Sequence, residues 1–234
     1  MIDRPDKRPI PWSVILGVLI GFPLIFWAWS QLLLDRERFS LPGVDFFVAF
    51  WAGTTVVYLL KIAVIRRLLA GRGWTLADVG LPVSKRSIAI GVGGYLVLAL
   101  ALFAFVEVSV RAVAFDPEKL ANLPGLYPDT TLKRAVFLVM AFVAGLGEEL
   151  TYRGFAIRGL ASRGINAWLA IPLAAVPFVF QHGLKSLDQF WWFFGSGLVL
   201  GVIFVATKRL WPGIVLHWLI ILSAMLGVFS AMAA

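Results

Sequence analysis

Two adjacent carboxylates, an arginine four residues beyond the second, and two histidines are the side chains in this sequence whose types and spacing suit hydrolysis. Glu148, Glu149 and Arg153 fall in Gly147-Glu-Glu-Leu-Thr-Tyr-Arg-Gly154, directly after the uncharged run 135–147. Ionisable groups are expensive at membrane depth, so a cluster of them in such a segment points to function. On an α-helix of about 3.6 residues per turn, Glu149 and Arg153 share a face and can pair, while Glu148 points roughly 100° away. The rival reading is a solvated helix end. It is the weaker one, because Gly154-Phe-Ala-Ile-Arg-Gly-Leu-Ala161 continues an amphipathic helical pattern beyond the cluster. The histidines follow: His182 ends Phe178-Val-Phe-Gln-His182, and His217 lies in Trp211-Pro-Gly-Ile-Val-Leu-His217. One histidine in an apolar helix is more often packed than catalytic. Two of them beside the mid-span carboxylate pair supply the groups for general acid-base hydrolysis. Cysteine is absent, and no serine sits in a nucleophile-elbow context, so a covalent intermediate is not expected.

The elements that must carry these groups are membrane helices. A chain of 234 residues that is 60% apolar, with ten tryptophans and a mean hydropathy of +0.89, has too much hydrophobic surface for one soluble core. The expected fold is all-α, a polytopic transmembrane helix bundle of about seven spans. The spans are expected near Trp12–Leu34, Val44–Ile65, Ser87–Val110, from Thr131 through the acidic motif to Ser162, Asn166–His182, Phe190–Thr207 and Ile214–Met232. Asp129-Thr130-Thr131 resembles a helix start. Pro172 and Pro177 are expected to bend the fifth span, and Gly91, Gly93, Gly94 and the Gly197-x-x-x-Gly201 pair are expected at close helix contacts. Lys61 is expected to snorkel toward the surface marked by Arg66 and Arg67, and Glu107 to pair with Arg111 at the interface.

Three parts follow: a cytoplasmic amino-terminal tail at 1–11, amino-terminal spans and connections at 12–130, and a catalytic helical core at 131–234. The net charge of +8 would suggest nucleic acid in a soluble domain, but the basic residues lie between apolar runs, where anionic headgroups are the expected partner and nucleic acid is not. With the amino terminus inside, twelve Lys and Arg fall on the inner connections against seven on the outer ones. That balance predicts a multi-pass protein of the cell membrane with a cytoplasmic amino terminus. The first apolar run lacks a small-residue cleavage site and reads as a retained span.

Depth tests whether the site residues can meet. Measured from a turn at Arg163-Gly164, Glu148 lies about 16 residues before and His182 about 18 after, so antiparallel packing puts both about 25 Å from the turn. His217 fits less well, only about six residues or roughly 10 Å past the turn at Leu210-Trp211. Either that turn is sunk into the bundle or the proline bends raise His182.

The motifs E-E-x-x-x-R at 148–153 and F-x-x-x-H at 178–182, with a glycine-bearing helix and then a histidine near the start of the last one, resemble the CPBP (Abi) family. These are the CAAX-processing and bacteriocin-processing intramembrane proteases, relatives of the Rce1-type prenyl endopeptidases. The resemblance covers roughly residues 132–225. It implies Glu148 as the base that activates water, His182 as its assistant, Glu149 and Arg153 as a supporting pair, and His217 as oxyanion donor. One departure stands out: the fourth position after His217, usually Asn or Asp in the family, is Ile221, which can donate nothing. Losing one such donor typically costs about 10²- to 10³-fold in rate, and Gln181 is a candidate substitute.

The substrate implied is a membrane-embedded or membrane-associated peptide or protein, lipid-modified or leader-bearing. Cofactor use stays open. Glu148, His182 and His217 match the donor set of a catalytic Zn chemically, yet the same three suffice for direct general-base catalysis, and H-E-x-x-H is absent; the metal-independent mechanism is the one preferred. Two alternatives come from other classes. Ile221 suggests a non-catalytic immunity or scaffold relative, and buried carboxylates also suit the proton relay of a small transporter. Oligomeric state is not legible.

Overall fold

The computed structural model describes residues 7–33, 42–112, 128, 130–183 and 185–233, with the backbone alone at 102–103, 105–112, 185 and 224–233. All regular structure among the described residues is helical. The predicted pairing of Glu107 with Arg111 falls on side chains outside this description.

Several helices begin where a side chain accepts an otherwise unpaired amide N–H of the first turn. Helix α1 (Trp12–Ser30) follows Pro11, passes through Pro23 and is prolonged by a 3₁₀ turn, Gln31–Leu33. Helix α2 (Phe46–Ala70) starts at Asp45, whose carboxylate accepts from the Val48 N–H at 3.2 Å. It runs past Arg66 and Arg67, one turn beyond the predicted end. Helix α3 spans Lys85–Ala112. Helix α4 opens at Thr130, whose hydroxyl accepts from the Lys133 N–H at 3.2 Å. It is α-helical over Thr131–Glu148, π-helical over Glu149–Ile157 and α-helical again over Arg158–Ala161. Asn166 caps α5 (Ala167–Phe180) by accepting from the Trp168 N–H at 2.9 Å, and this helix continues through both of its prolines. A single turn, Lys185–Asp188, leads into α6 (Phe190–Thr207), which ends at Lys208 with φ 58°; α7 is Trp211–Ala233.

Among the described residues, four stretches are long and apolar enough to cross a bilayer: Trp12–Leu33, Phe46–Ala70, Thr131–Ala161 and Phe190–Thr207. Ala167–Phe180 is apolar but shorter. The seven helices named among the described residues are compatible with seven spans, and four of these stretches qualify by length and composition. Their outward faces carry large exposed apolar side chains such as Leu24, Leu60, Val97 and Leu100, a surface matched to lipid.

The π-helical part of α4 is the centre of the bundle. All nine of its residues are buried, and it touches α1, α2, α5, α6 and α7. Small residues let the neighbours close in. A Cβ on Gly197 would lie 3.0 Å from the Ala175 Cβ, and one on Gly201 would lie 2.5 Å from the Ile171 Cγ2, so α6 rests on α5 through this pair. Of the three glycines in α3, Gly91 meets the Trp211 ring of α7, but a Cβ on Gly93 or Gly94 would meet nothing within 4 Å among the described residues.

The turn before α7 settles the depth of His217. The Leu210 N–H donates to the Gly80 carbonyl at 2.9 Å, and a Cβ on Gly154 would lie 3.2 Å from the Leu210 Cδ1. Gly80 takes φ 88°, which allows that close docking without a Cβ penalty. The turn is therefore sunk to the level of Gly154, six residues or about 9 Å beyond Glu148. Six or seven residues of α7, again about 10 Å, then bring His217 level with Glu148.

Candidate active site

Four elements converge on Glu148, the last residue before the π-helical stretch of α4. Its Oε1 accepts a hydrogen bond from the Tyr58 hydroxyl of α2. Its Oε2 lies 3.2 Å from the His217 Nε2 of α7 and 3.9 Å from the Nε2 of His182, two residues past the end of α5. The neighbouring Glu149 turns to the other side, as the 100° step between consecutive helical residues requires. Its Oε1 is 2.9 Å from the Arg153 Nη1 and 2.9 Å from the His217 Nδ1. His217 thus stands between the two carboxylates, one on each ring nitrogen. Arg153 also donates from Nη2 to the Gly197 carbonyl at 3.3 Å and lies 4.2 Å from the centre of the Phe178 ring, so the guanidinium is held on three sides.

Proton positions follow from these contacts. A carbonyl oxygen only accepts, so the 2.9 Å contact of His182 Nδ1 with the Phe178 carbonyl places the hydrogen on Nδ1 and leaves the Nε2 lone pair facing Glu148. Phe193 stacks on this ring at 3.7 Å and 15° and fixes its plane. Glu149, already bridged to Arg153, takes the Nδ1–H of His217. The His217 Nε2 then faces Glu148 Oε2 at ion-pair distance, 3.2 Å.

Glu149 is fully buried, and Glu148, Arg153 and His217 are at most 4% exposed, whereas the His182 side chain is 20% exposed. His182 is the member of the cluster that reaches the outside. Its 3.9 Å separation from Glu148 exceeds a hydrogen bond and matches a gap bridged by one water.

The structure brings together all five residues singled out from the sequence, and departs from the sequence reading in four ways. First, the segment after Glu148 is π-helical rather than α-helical, with the Thr151 hydroxyl donating to the Gly147 carbonyl at 2.7 Å. Such a widened turn has poorer hydrogen bonding and persists where surrounding packing dictates it, as burial of every residue does here. Second, Lys61 does not snorkel. It is 1% exposed and donates to the Gln181 Oε1 across the bundle. Third, Gln181 is committed to α2 and is not a free oxyanion donor. Fourth, Tyr58 enters the site although nothing in its sequence context marks it. The one available signal was Lys61 itself, a charge inside an apolar span one helical turn away. Ile221 is half-buried and packs against the apolar clusters around Tyr58 and Trp218, with no polar atom to offer.

The zinc donor set is present by residue type. Among the described residues, however, no three His, Cys, Asp or Glu side chains stand in an arrangement that would hold a metal ion. Both histidine Nε2 atoms face Glu148 Oε2, and the other ring nitrogen of His217 is taken by Glu149.

Two carboxylates and two imidazoles are gathered below the surface of an apolar helical bundle, and these are the group types that hydrolytic chemistry uses. Residues 130–223, the segment that carries Glu148, Glu149, Arg153, His182 and His217, match the family model described as type II CAAX prenyl endopeptidase Rce1-like. Residues 1–129, including α1, α2 and α3, lie outside the match. No curated protein and no solved structure matches the chain.

Proposed function

We propose that the protein is an intramembrane endopeptidase in which Glu148 activates a water molecule against a peptide bond of a membrane-associated substrate. The observation that supports this most is the arrival of Glu148 Oε2 within 3.2 Å of His217 Nε2 and 3.9 Å of His182 Nε2, with His182 alone open to the outside. Water held between Glu148 and the His182 Nε2 lone pair gives one proton to Glu148 as its oxygen adds to the scissile carbonyl. Protonated His217 donates from Nε2 to the oxyanion, while Glu149 and Arg153 fix its ring. Collapse of the tetrahedral intermediate passes the proton from Glu148 to the leaving amine, which departs neutral. No bond to the protein forms.

The substrate is a membrane-embedded or membrane-associated peptide, lipid-modified or leader-bearing, and its scissile bond must come to the level of His182. Residues 131–234 form the catalytic helical core on a platform of the spans at 12–130. The charge balance of the connections favours the cell membrane with residues 1–11 in the cytoplasm.

The test is cleavage of a panel of membrane peptides by the purified protein in lipid nanodiscs. Glu148→Ala is expected to lower turnover by about 10²- to 10⁴-fold, and a zinc chelator to leave the wild type unaffected. Equal turnover in both proteins, or none in either across the panel, overturns the reading. Ile221 favours a second one, a non-catalytic relative acting as an immunity or scaffold protein. In that case, binding of a membrane partner would persist in Glu148→Ala without any cleavage by the wild type.

A further inference from the structure

Helix α2 lies outside the family-matched segment, yet it supplies two polar side chains to the carboxylate site. Tyr58 and Lys61 are three residues apart and so share one face of the helix. The Tyr58 hydroxyl, buried at 6% exposure, donates to Glu148 Oε1. Gln181 links the two: its Nε2 is 3.5 Å from the Tyr58 oxygen, and its Oε1 accepts from the Lys61 ammonium.

The surroundings of Lys61 are unusual for a membrane helix. Burying an ammonium is costly unless it is paired, and a lysine in a span ordinarily reaches for the interface. Here four rings stand around it: Tyr152 at 4.8 Å, Phe26 at 5.2 Å, and Phe22 and Tyr58 at 5.4 Å each. Its one hydrogen-bond partner among the described residues is a neutral amide. The negative charge that this cation faces is Glu148, reached through Gln181 and Tyr58.

The direction of the chain of hydrogen bonds is set at its cationic end. An ammonium only donates, so Gln181 must turn its oxygen to Lys61 and its NH₂ to Tyr58. The Tyr58 oxygen accepts from that NH₂, and its own hydrogen goes to Glu148. Every bond points the same way, which strengthens each one in a low-dielectric interior. Without the ammonium, the amide is free to reverse and take the Tyr58 hydrogen for itself.

We propose that Tyr58 and Lys61 are positioning residues for Glu148: Tyr58 holds Oε1 so that Oε2 is the oxygen presented to His217 and His182, and Lys61, through Gln181, dictates that Tyr58 donates to the carboxylate. The positioning role rests on the endopeptidase reading; the hydrogen-bond chain does not. The site of this protein therefore extends beyond the segment that the family defines.

Two measurements test this. In peptide hydrolysis, Tyr58→Phe and Lys61→Met each lower kcat by about 10-fold or more, as expected for a displaced catalytic group, with KM held within about two-fold. Lys61→Arg, which keeps a donor-only cation, loses less than Lys61→Met. Tyr95→Phe removes another buried hydroxyl, one that donates to the Leu138 carbonyl at 2.6 Å, and leaves kcat unchanged. Full kcat in Tyr58→Phe, a rise in KM alone, or equal losses in Lys61→Arg and Lys61→Met overturns the proposal. The second measurement needs no turnover: Tyr58→Phe lowers the thermal unfolding midpoint in the wild type by more than it does in Glu148→Ala. Equal shifts in the two backgrounds overturn the contact itself. A clear difference in a protein that cleaves nothing keeps the contact and discards the endopeptidase reading.

Discussion

Two buried cations flank the carboxylates, and the bundle holds them by different means. Arg153 sits in the family-matched segment with a carboxylate on Nη1, a carbonyl on Nη2 and an aromatic face below, all from α4, α5 and α6. Lys61 sits in the unmatched half, with an amide and four rings but no carboxylate among the described residues. The first arrangement neutralises a charge on the spot. The second ties the ammonium to Glu148 only through Gln181 and Tyr58, so on the proposed reading the matched segment holds the reacting groups and the unmatched half orients them.

Replacing each cation by methionine separates the two roles. In Arg153→Met, Glu149 is left fully buried with His217 as its remaining partner, and breaking a buried pair in this way costs about 3–5 kcal/mol. The expected result is a large drop in the detergent unfolding midpoint and in yield. Lys61→Met removes the costly burial of the ammonium together with its bond and strands only a neutral acceptor, for about 1–3 kcal/mol. Its main effect is on kcat. If Lys61→Met proved the more destabilising of the two, the contrast between a charge that is paired and a charge that orients would not hold.

The same contrast accounts for what was legible in the sequence. Glu149 with Arg153 is a local pair, four residues apart on one helix, so its geometry was fixed by spacing alone; Thr130 and Asn166 announced helix starts by the same local logic. Tyr58 and Lys61 have partners 90 and 120 residues away. An apolar helix with one lysine reads as a span with a snorkelling charge, because the rings that hold the ammonium belong to α1 and α4 as well as α2. The π-helical stretch was illegible for a related reason: packing on every side, not the preferences of Glu149–Ile157, selects it. The depth of His217 depended on Leu210 docking at Gly80, a contact across 130 residues that no periodicity contains. Gly93 and Gly94 show the converse error, where a small-residue cluster that would permit close packing meets nothing among the described residues.

A smaller effect separates helix initiation from site chemistry. Thr130→Ala removes the cap of α4, just ahead of the span that carries Glu148 and at the first residue of the matched segment. Loss of such a cap costs about 1 kcal/mol. The fraying is confined to the first turn, some eighteen residues before the carboxylates. The expected outcome is a lower unfolding midpoint with kcat and KM unchanged, which urea or thermal titration alongside peptide cleavage will read.

The smallest expected effect lies outside the bundle, where the unmatched half fastens its amino-terminal segment. Lys7 pairs with Asp78 Oδ1, and Asp78 Oδ2 accepts from both the Thr75 N–H and the Thr75 hydroxyl at 2.7 Å. Partial burial pushes the Asp78 carboxyl up, but the Lys7 ammonium and the two Thr75 donors outweigh it and hold the pKa at about 2, below its ordinary 3.8. A carboxylate with a depressed folded value contributes stability in full above the unfolded value, and loses it as pH falls through the folded one. The window runs from about pH 4 down to about pH 2. Since the pair stands near solvent, its contribution is at most about 1 kcal/mol and shrinks in high salt. Asp78→Asn should therefore unfold at a slightly lower midpoint than the wild type at pH 5 to 7, with the difference closing below about pH 3. A gap that stays constant down to pH 2 would mean that packing of the Leu76–Val79 turn, and not the charge of Asp78, ties the amino-terminal segment to the bundle.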